Sequence, residues 1–140
     1  ATGGAGGDIS LYVGPGDTGN GGDVSIRAGD TSGWNDEGGI LRFHAGDSDL
    51  GPGGGVELAS GSGNSTNSGD ISIFSPDSGL NGTSGGITLS TGESSWGTSG
   101  DIVLSTGNAT MGHGGDIRVA VGTGDYGNGG TIYFSAGMTL

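Results

Sequence analysis

The chain has 140 residues, of which 38 are glycine, 29% are apolar and 13% are charged. So little apolar material cannot fill the core of an ordinary globule, which leaves a disordered chain or a repeat fold with a thin core. The chain has only 3 Lys and Arg in total against 15 Asp and Glu, so the composition argues against nucleic-acid binding. It has no Cys, which excludes disulfides and zinc–thiolate sites.

One pattern recurs nine times along the chain, and we number its positions from its first residue. It reads G-G-D-I-x-L-x-A-G, followed by about six polar or glycine residues. The repeats begin near Gly6, Gly21, Gly38, Gly53, Ser68, Ser84, Ser99, Gly114 and Gly129. Position 4 is Ile9, Val24, Leu41, Val56, Ile71, Ile87, Ile102, Ile117 and Ile132, with steps of 15, 17, 15, 15, 16, 15, 15 and 15. Position 6 is Leu11, Ile26, Phe43, Leu58, Ile73, Leu89, Leu104, Val119 and Phe134. This regular spacing favours order over disorder.

Each repeat contains the pattern of a short β-strand. Apolar or small residues at positions 4, 6 and 8 alternate with positions 5 and 7, which is the period of a half-buried strand. Position 2 is always glycine, and position 9 is glycine except at Pro76. Glycine permits a positive φ or a close backbone approach, as a corner between strands requires. Extra residues around Trp34 in the second repeat predict a surface bulge, and the fifth repeat has one extra residue near Asn81.

The polar half of each repeat predicts a return side. Position 11 is small in every repeat and position 13 is often bulky, so both are expected to face inward. The bulky residues that would close one end of the core are Leu50, Leu80, Trp96, Met111 and Tyr126.

Stacking would join these repeats into one fold. A five-residue strand cannot bury its own face, but repeats stacked about 4.8 Å apart would build continuous apolar ladders. The sequence therefore predicts an all-β domain over residues 1–140. This domain is a single β-solenoid (parallel β-helix) of nine flattened, two-sided coils of 15–17 residues. Arg42 and Glu57 would then lie side by side as an ion pair. Because the pattern is cut at both ends, we expect a piece of a longer array or a subunit that stacks end to end.

Two motifs carry a resemblance to known repeat proteins. Gly22-Asp23-Val24-Ser25-Ile26 and the Ser99–Gly107 segment resemble the glycine-rich repeat arrays of secreted and surface proteins in algae and other microbes. The resemblance covers the whole chain and implies a solenoid with a structural or adhesive role. It also implies an extracellular or cell-surface location, and the lack of a long apolar run predicts no membrane insertion.

Few residues suggest chemistry. No catalytic spacing, cofactor motif or assured metal site is present; if calcium were bound, Asp8, Asp23, Asp101 and Asp116 would be the candidate ligands. These aspartates equally suit hydrogen bonds to corner amides. Three N-x-S/T sequons predict glycosylation at Asn64, Asn81 and Asn108.

These features predict a non-enzymatic extracellular structural or adhesive module. It would be a stiff spacer or filament subunit that assembles through solenoid ends, with other copies of itself or further coils of a longer chain as partners. The alternative is a binding module, either a calcium-dependent β-roll-like adhesin or an ice-binding protein. The fifteen-residue repeat differs from the nine-residue half-turns of β-rolls, and the outward columns are irregular for an ice lattice.

Overall fold

The computed structural model describes residues 3–138, and within that range it contains neither a helix nor a β-strand. The prediction of an all-β solenoid is therefore wrong, and the chain is mostly coil. It divides into two units, Ala1–Ser72 and Ile73–Leu140. Residues 1, 2, 139 and 140 of the predicted domain lie outside the described residues. No helix long and apolar enough to cross a bilayer occurs in the described part.

The sequence repeat is nevertheless visible in the backbone as a series of bends. Eight of them follow the first repeat start, at residues 17–19, 33–35, 49–51, 64–66, 80–81, 95–97, 110–112 and 125–127. Each bend lies in the polar loop between position 9 of one repeat and position 2 of the next. Between these loops the segments continue without a bend or turn. The bends therefore recur with the sequence repeat, but the predicted strands and return side do not form among the described residues.

Three of the loops are closed at their base by a backbone hydrogen bond. The position 2 amide donates to the position 9 carbonyl of the preceding repeat. These bonds run from Gly39 N to Gly29 O, from Gly54 N to Gly46 O and from Gly69 N to Gly61 O, each at 2.9 Å. We call the meeting of position 9 with the following position 2 the neck. Each neck is a local contact, in contrast to the predicted coil-on-coil ladder.

The high glycine content explains why the chain forms local necks and not a hydrogen-bonded ladder between repeats. Alternating apolar and polar residues favour an extended backbone but do not specify its partner. A ladder between repeats would have to order many of the 38 glycines, and glycine loses more conformational entropy on ordering than any other residue. A neck closes a loop of only eight to ten residues, which costs less closure entropy than a longer loop.

The apolar side chains that were predicted to form a dry core are exposed. No residue between Gly3 and Met138 is buried, and Ile102 and Leu104 retain 55% and 73% exposure, against 80% for outward Val103. The chain exposes 14651 Å² in total. A compact protein of 13.3 kDa would expose about 6,500 Å² and a fully unfolded one about 19,000 Å². The core prediction is therefore wrong.

The predicted inward direction of the bulky position 13 residues is also wrong. Leu50, Leu80, Trp96 and Met111 are fully exposed, and Tyr126 is almost so. They lie in or beside the bends, where the chain turns away from any neighbouring segment.

The predicted ion pair between Arg42 and Glu57 does not form, because the stacking that would bring their repeats together is absent in the part of the chain that the structure describes. Arg27 instead pairs with Asp30, at 2.6 Å between Nη2 and Oδ2. Both side chains are largely exposed, so the pair contributes little to stability.

Candidate interaction surface

The neck brings together the glycine at position 2 and the side chain at position 8 of the preceding repeat. The same two positions meet at every junction: Gly22 with Val13, Gly39 with Ala28, Gly54 with Ala45, Gly69 with Ser60, Gly85 with Ser75, Gly100 with Thr91, Gly115 with Thr106, and Gly130 with Val121. A Cβ added to Gly39 would lie 3.2 Å from Ala28 Cβ and 3.1 Å from Gly29 N. Close approach, not positive φ, therefore accounts for the glycine there.

The fifth neck, whose position 9 is Pro76 instead of glycine, is held in a different way. The Ser75 hydroxyl donates a hydrogen bond to the Gly85 carbonyl oxygen at 2.6 Å. A position 8 side chain thus bonds directly to the position 2 backbone. This junction shows that the neck can form with a side-chain donor as well as with a backbone amide.

Inside several loops, the position 11 hydroxyl makes a hydrogen bond to the backbone, as acceptor at Thr31, Ser48 and Ser94 and as donor from Ser78 to Gly82 O at 2.9 Å. Ser48 Oγ accepts from Gly51 N, and Ser94 Oγ accepts from Gly97 N, both at 3.0 Å. These are hydroxyl turns of the kind that Ser and Thr favour. At Gly63 an added Cβ would instead overlap the carbonyl oxygen of Asn67, because the backbone folds back close to Gly63 there. Position 11 is therefore small because of the turn, and not because it faces a core as the sequence suggested.

The segments at positions 3 to 8 are the chain's most extensive apolar surface. No backbone–backbone hydrogen bond reaches these positions among residues 3–138. At position 4 the exposed fraction runs from 45% at Ile132 to 100% at Ile9, and at position 6 it runs from 58% at Ile26 to 84% at Phe134. Each repeat therefore presents exposed apolar side chains on a backbone whose polar groups have no protein partner. We call these stretches the apolar segments.

The calcium candidates lie apart from one another in sequence, at the starts of apolar segments. Asp8, Asp23, Asp101 and Asp116 are all exposed at position 3. No group of three or more His, Asp or Glu side chains that could hold a metal ion occurs in the described residues. The structure does not bring these aspartates together into a group of metal ligands, so calcium binding there stays a prediction.

The three sequons are exposed in the loops. Asn64 begins the bend at 64–66, Asn81 lies in the turn at 80–81, and Asn108 precedes the bend at 110–112. A glycan at any of them would extend into solvent without displacing a packed side chain. Their glycosylation stays a prediction.

No enclosed pocket is found within the range that the structure covers, Gly3 to Met138. The surface features of this chain are thus the loops, the necks and the apolar segments. Comparison with known proteins returns no match, whether to a protein-family model, to a curated protein or to a solved structure. The resemblance to glycine-rich surface arrays therefore stays a prediction from the motifs.

Proposed function

We propose that this chain is a non-enzymatic structural or adhesive repeat module of the extracellular space or cell surface. The observation that carries the proposal is the repeated exposure of apolar side chains at positions 4 and 6 in all nine repeats. Exposed apolar patches larger than a few hundred Å² commonly mark interaction sites in soluble proteins. Here the surface is divided into nine similar parts.

Division into many similar contacts suits adhesion or mechanical linkage better than recognition at one site. Apolar segments joined in one chain act as tethered binding elements, so each contact raises the effective concentration of the next. Weak individual contacts then give strong total attachment. The formal charge of −12 opposes collapse and precipitation while leaving the short-range apolar contacts available.

The assembly route predicted from the sequence needs correction. Association through solenoid ends required the open edges of a first and last coil, and the described residues contain no coil stack that could provide them. The stiff spacer role depended on the same stack. The proposed module works through the sides of its repeats, one apolar segment at a time.

A graded series of full-length variants tests this function. Position 6 residues are changed to Ser in one, three or six repeats, and adsorption to a methyl-terminated surface is followed with a quartz crystal microbalance. A multivalent module loses attachment progressively as more repeats are changed. Loss concentrated in one repeat would indicate a single binding site and would refute the proposal.

The location is tested separately on the source cells. Antibodies raised against the chain are expected to label intact, unpermeabilised cells or their shed matrix by immunogold microscopy. Labelling confined to the interior after permeabilisation would contradict the extracellular assignment.

A further inference from the structure

We infer that the partner of the apolar segments is a second copy of this chain, whose segments pair edge to edge with those of the first. This inference rests on the proposed structural or adhesive function and names the partner. Pairing would bury the side chains at positions 4 and 6 and would satisfy the backbone groups of positions 3 to 8. It replaces the end-to-end contact expected from the sequence with a lateral one.

The first argument is the state of the backbone. Among the described residues, backbone–backbone hydrogen bonds occur at three of the necks and within the loop of the fifth repeat, where Gly82 N donates to Gly79 O at 3.1 Å. The apolar segments contribute none. An unpaired extended segment of alternating apolar residues is a template for another strand, and positions 3 to 8 contain neither Lys nor Pro, two residues that oppose such pairing. The chain contains no Lys at all.

The second argument is the area available. The exposed 14651 Å² exceeds the roughly 6,500 Å² expected of a compact protein of the same mass by about 8,000 Å². A stable protein–protein interface of standard size needs only about 1,600 Å². The chain therefore carries several times the surface that one lasting contact with a second copy would bury.

The third argument identifies the partner as the same chain. Ile87, Ile102, Ile117 and Ile132 are separated by steps of 15 residues, so their segments recur at an even interval. A second copy presents the same interval, segment length and alternation, and several segments can therefore pair at once. A different protein would pair with several segments at once only if its own segments recurred at the same 15-residue interval. Multiple pairings at equal spacing give the avidity that a single short segment lacks.

Charge predicts how this association responds to salt. Two copies each carry a formal charge of −12, so they repel at long range. Salt shortens that repulsion, to a Debye length of about 10 Å at 0.1 M and about 3 Å at 1 M. Apolar contacts are not weakened in this way. Association should therefore strengthen as sodium chloride is raised.

The test uses analytical ultracentrifugation of the full chain over a range of concentrations, at low and high sodium chloride. We expect the weight-average mass to rise with concentration, and more steeply at high salt. The double variant Leu89→Ser with Leu104→Ser removes two position 6 side chains and should weaken self-association roughly tenfold or more. The matched control is Leu50→Ser with Leu80→Ser, which removes two fully exposed leucines from the loops and should change it less than about twofold.

Amide hydrogen exchange supplies a second readout. Self-association should slow exchange at positions 3 to 8 of the repeats and leave the bends unchanged. A monomeric mass at every concentration and salt would overturn the inference. Equal weakening by both double variants would also overturn it, because that result indicates unspecific apolar adhesion.

Two further outcomes separate the inference from the function on which it rests. Slowed exchange at the apolar segments without a rise in mass would show pairing within one chain, and would exclude the second copy as partner. Graded adsorption to the methyl-terminated surface by a chain that stays monomeric would keep the proposed function and reject the inference. Loss of both behaviours would reject both.

Discussion

Replacing Gly63 with Ala should open the loop of the fourth repeat. A Cβ at this position would overlap the carbonyl oxygen of Asn67, and would lie 2.9 Å from the carbonyl oxygen of Thr66 and 3.0 Å from the carbonyl carbon of Asn67. All three atoms belong to the backbone, so no side-chain rotation can relieve the overlap. The chain must instead move apart between residues 63 and 67.

The expected size of this effect follows from the loop's own bonds. A backbone overlap that only local strain can accommodate costs on the order of 1–3 kcal/mol, and a single hydrogen bond contributes about 0.5–1.5 kcal/mol net. The overlap therefore matches or exceeds the stabilisation from the one hydrogen bond that closes this loop, between Gly69 N and Gly61 O. The ratio of open to closed loop should rise about 5- to 150-fold, since 1.4 kcal/mol corresponds to a factor of ten.

Amide hydrogen exchange at Gly69, followed by NMR, measures this change. In the parent chain the hydrogen bond should slow exchange about two- to tenfold, and the Gly63→Ala variant should lose that protection. Gly61→Ala is the matched control, because its added Cβ has no atom within 4 Å and its carbonyl remains to accept the bond. Both variants remove one glycine, so unfolded-state entropy changes alike. If the Gly69 amide exchanges as slowly in Gly63→Ala as in the parent chain, the close approach of Gly63 to the backbone of Thr66 and Asn67 is refuted.

Three further predictions follow from individual contacts. Ser94→Ala removes the acceptor for Gly97 N and should speed exchange of that amide severalfold, whereas Ser95→Ala should not, as NMR exchange will show. Arg27→Gln breaks the exposed pair with Asp30, so added salt should change the Asp30 side-chain chemical shifts in the parent chain more than in the variant, because such exposed pairs are weak and screened. Material secreted by a eukaryotic host should carry glycans on at least one sequon, and an intact mass equal to the bare polypeptide would contradict this. The asparagines concerned are Asn64, Asn81 and Asn108.

The features that depend on nearby residues could be predicted from the sequence. The roughly fifteen-residue period appears in the structure as the series of bends, and Trp34 lies exposed in the turn at 33–35. These features depend on glycine and polar residues a few positions apart, whose turn preferences act locally. Local patterns therefore predicted the path of the chain within each repeat.

The pairing of segments could not be predicted in the same way. Alternation around Ile102 indicates an extended backbone, but pairing depends on whether contacts with distant repeats offset the entropy of ordering the intervening chain. The sequence did contain a signal for the neck. Glycine at position 2 in every repeat, with a small or β-branched residue at position 8 such as Ala28, indicates close packing of those two positions. The alternation of positions 4, 6 and 8 indicates a shared inward face instead, so it does not predict their contact across the loop.

The lengths of the loops that the necks close show where this chain can accept added residues. The loop closed between Gly29 and Gly39 spans ten residues, whereas those from Gly46 to Gly54 and from Gly61 to Gly69 span eight. The same bond, from the position 2 amide to the position 9 carbonyl, thus closes a loop with two additional residues. A short peptide epitope or metal-binding tag spliced beside Trp34 should therefore be displayed to solvent without disturbing the neighbouring repeats. The bends offer a regularly spaced series of grafting points along a lysine-free chain.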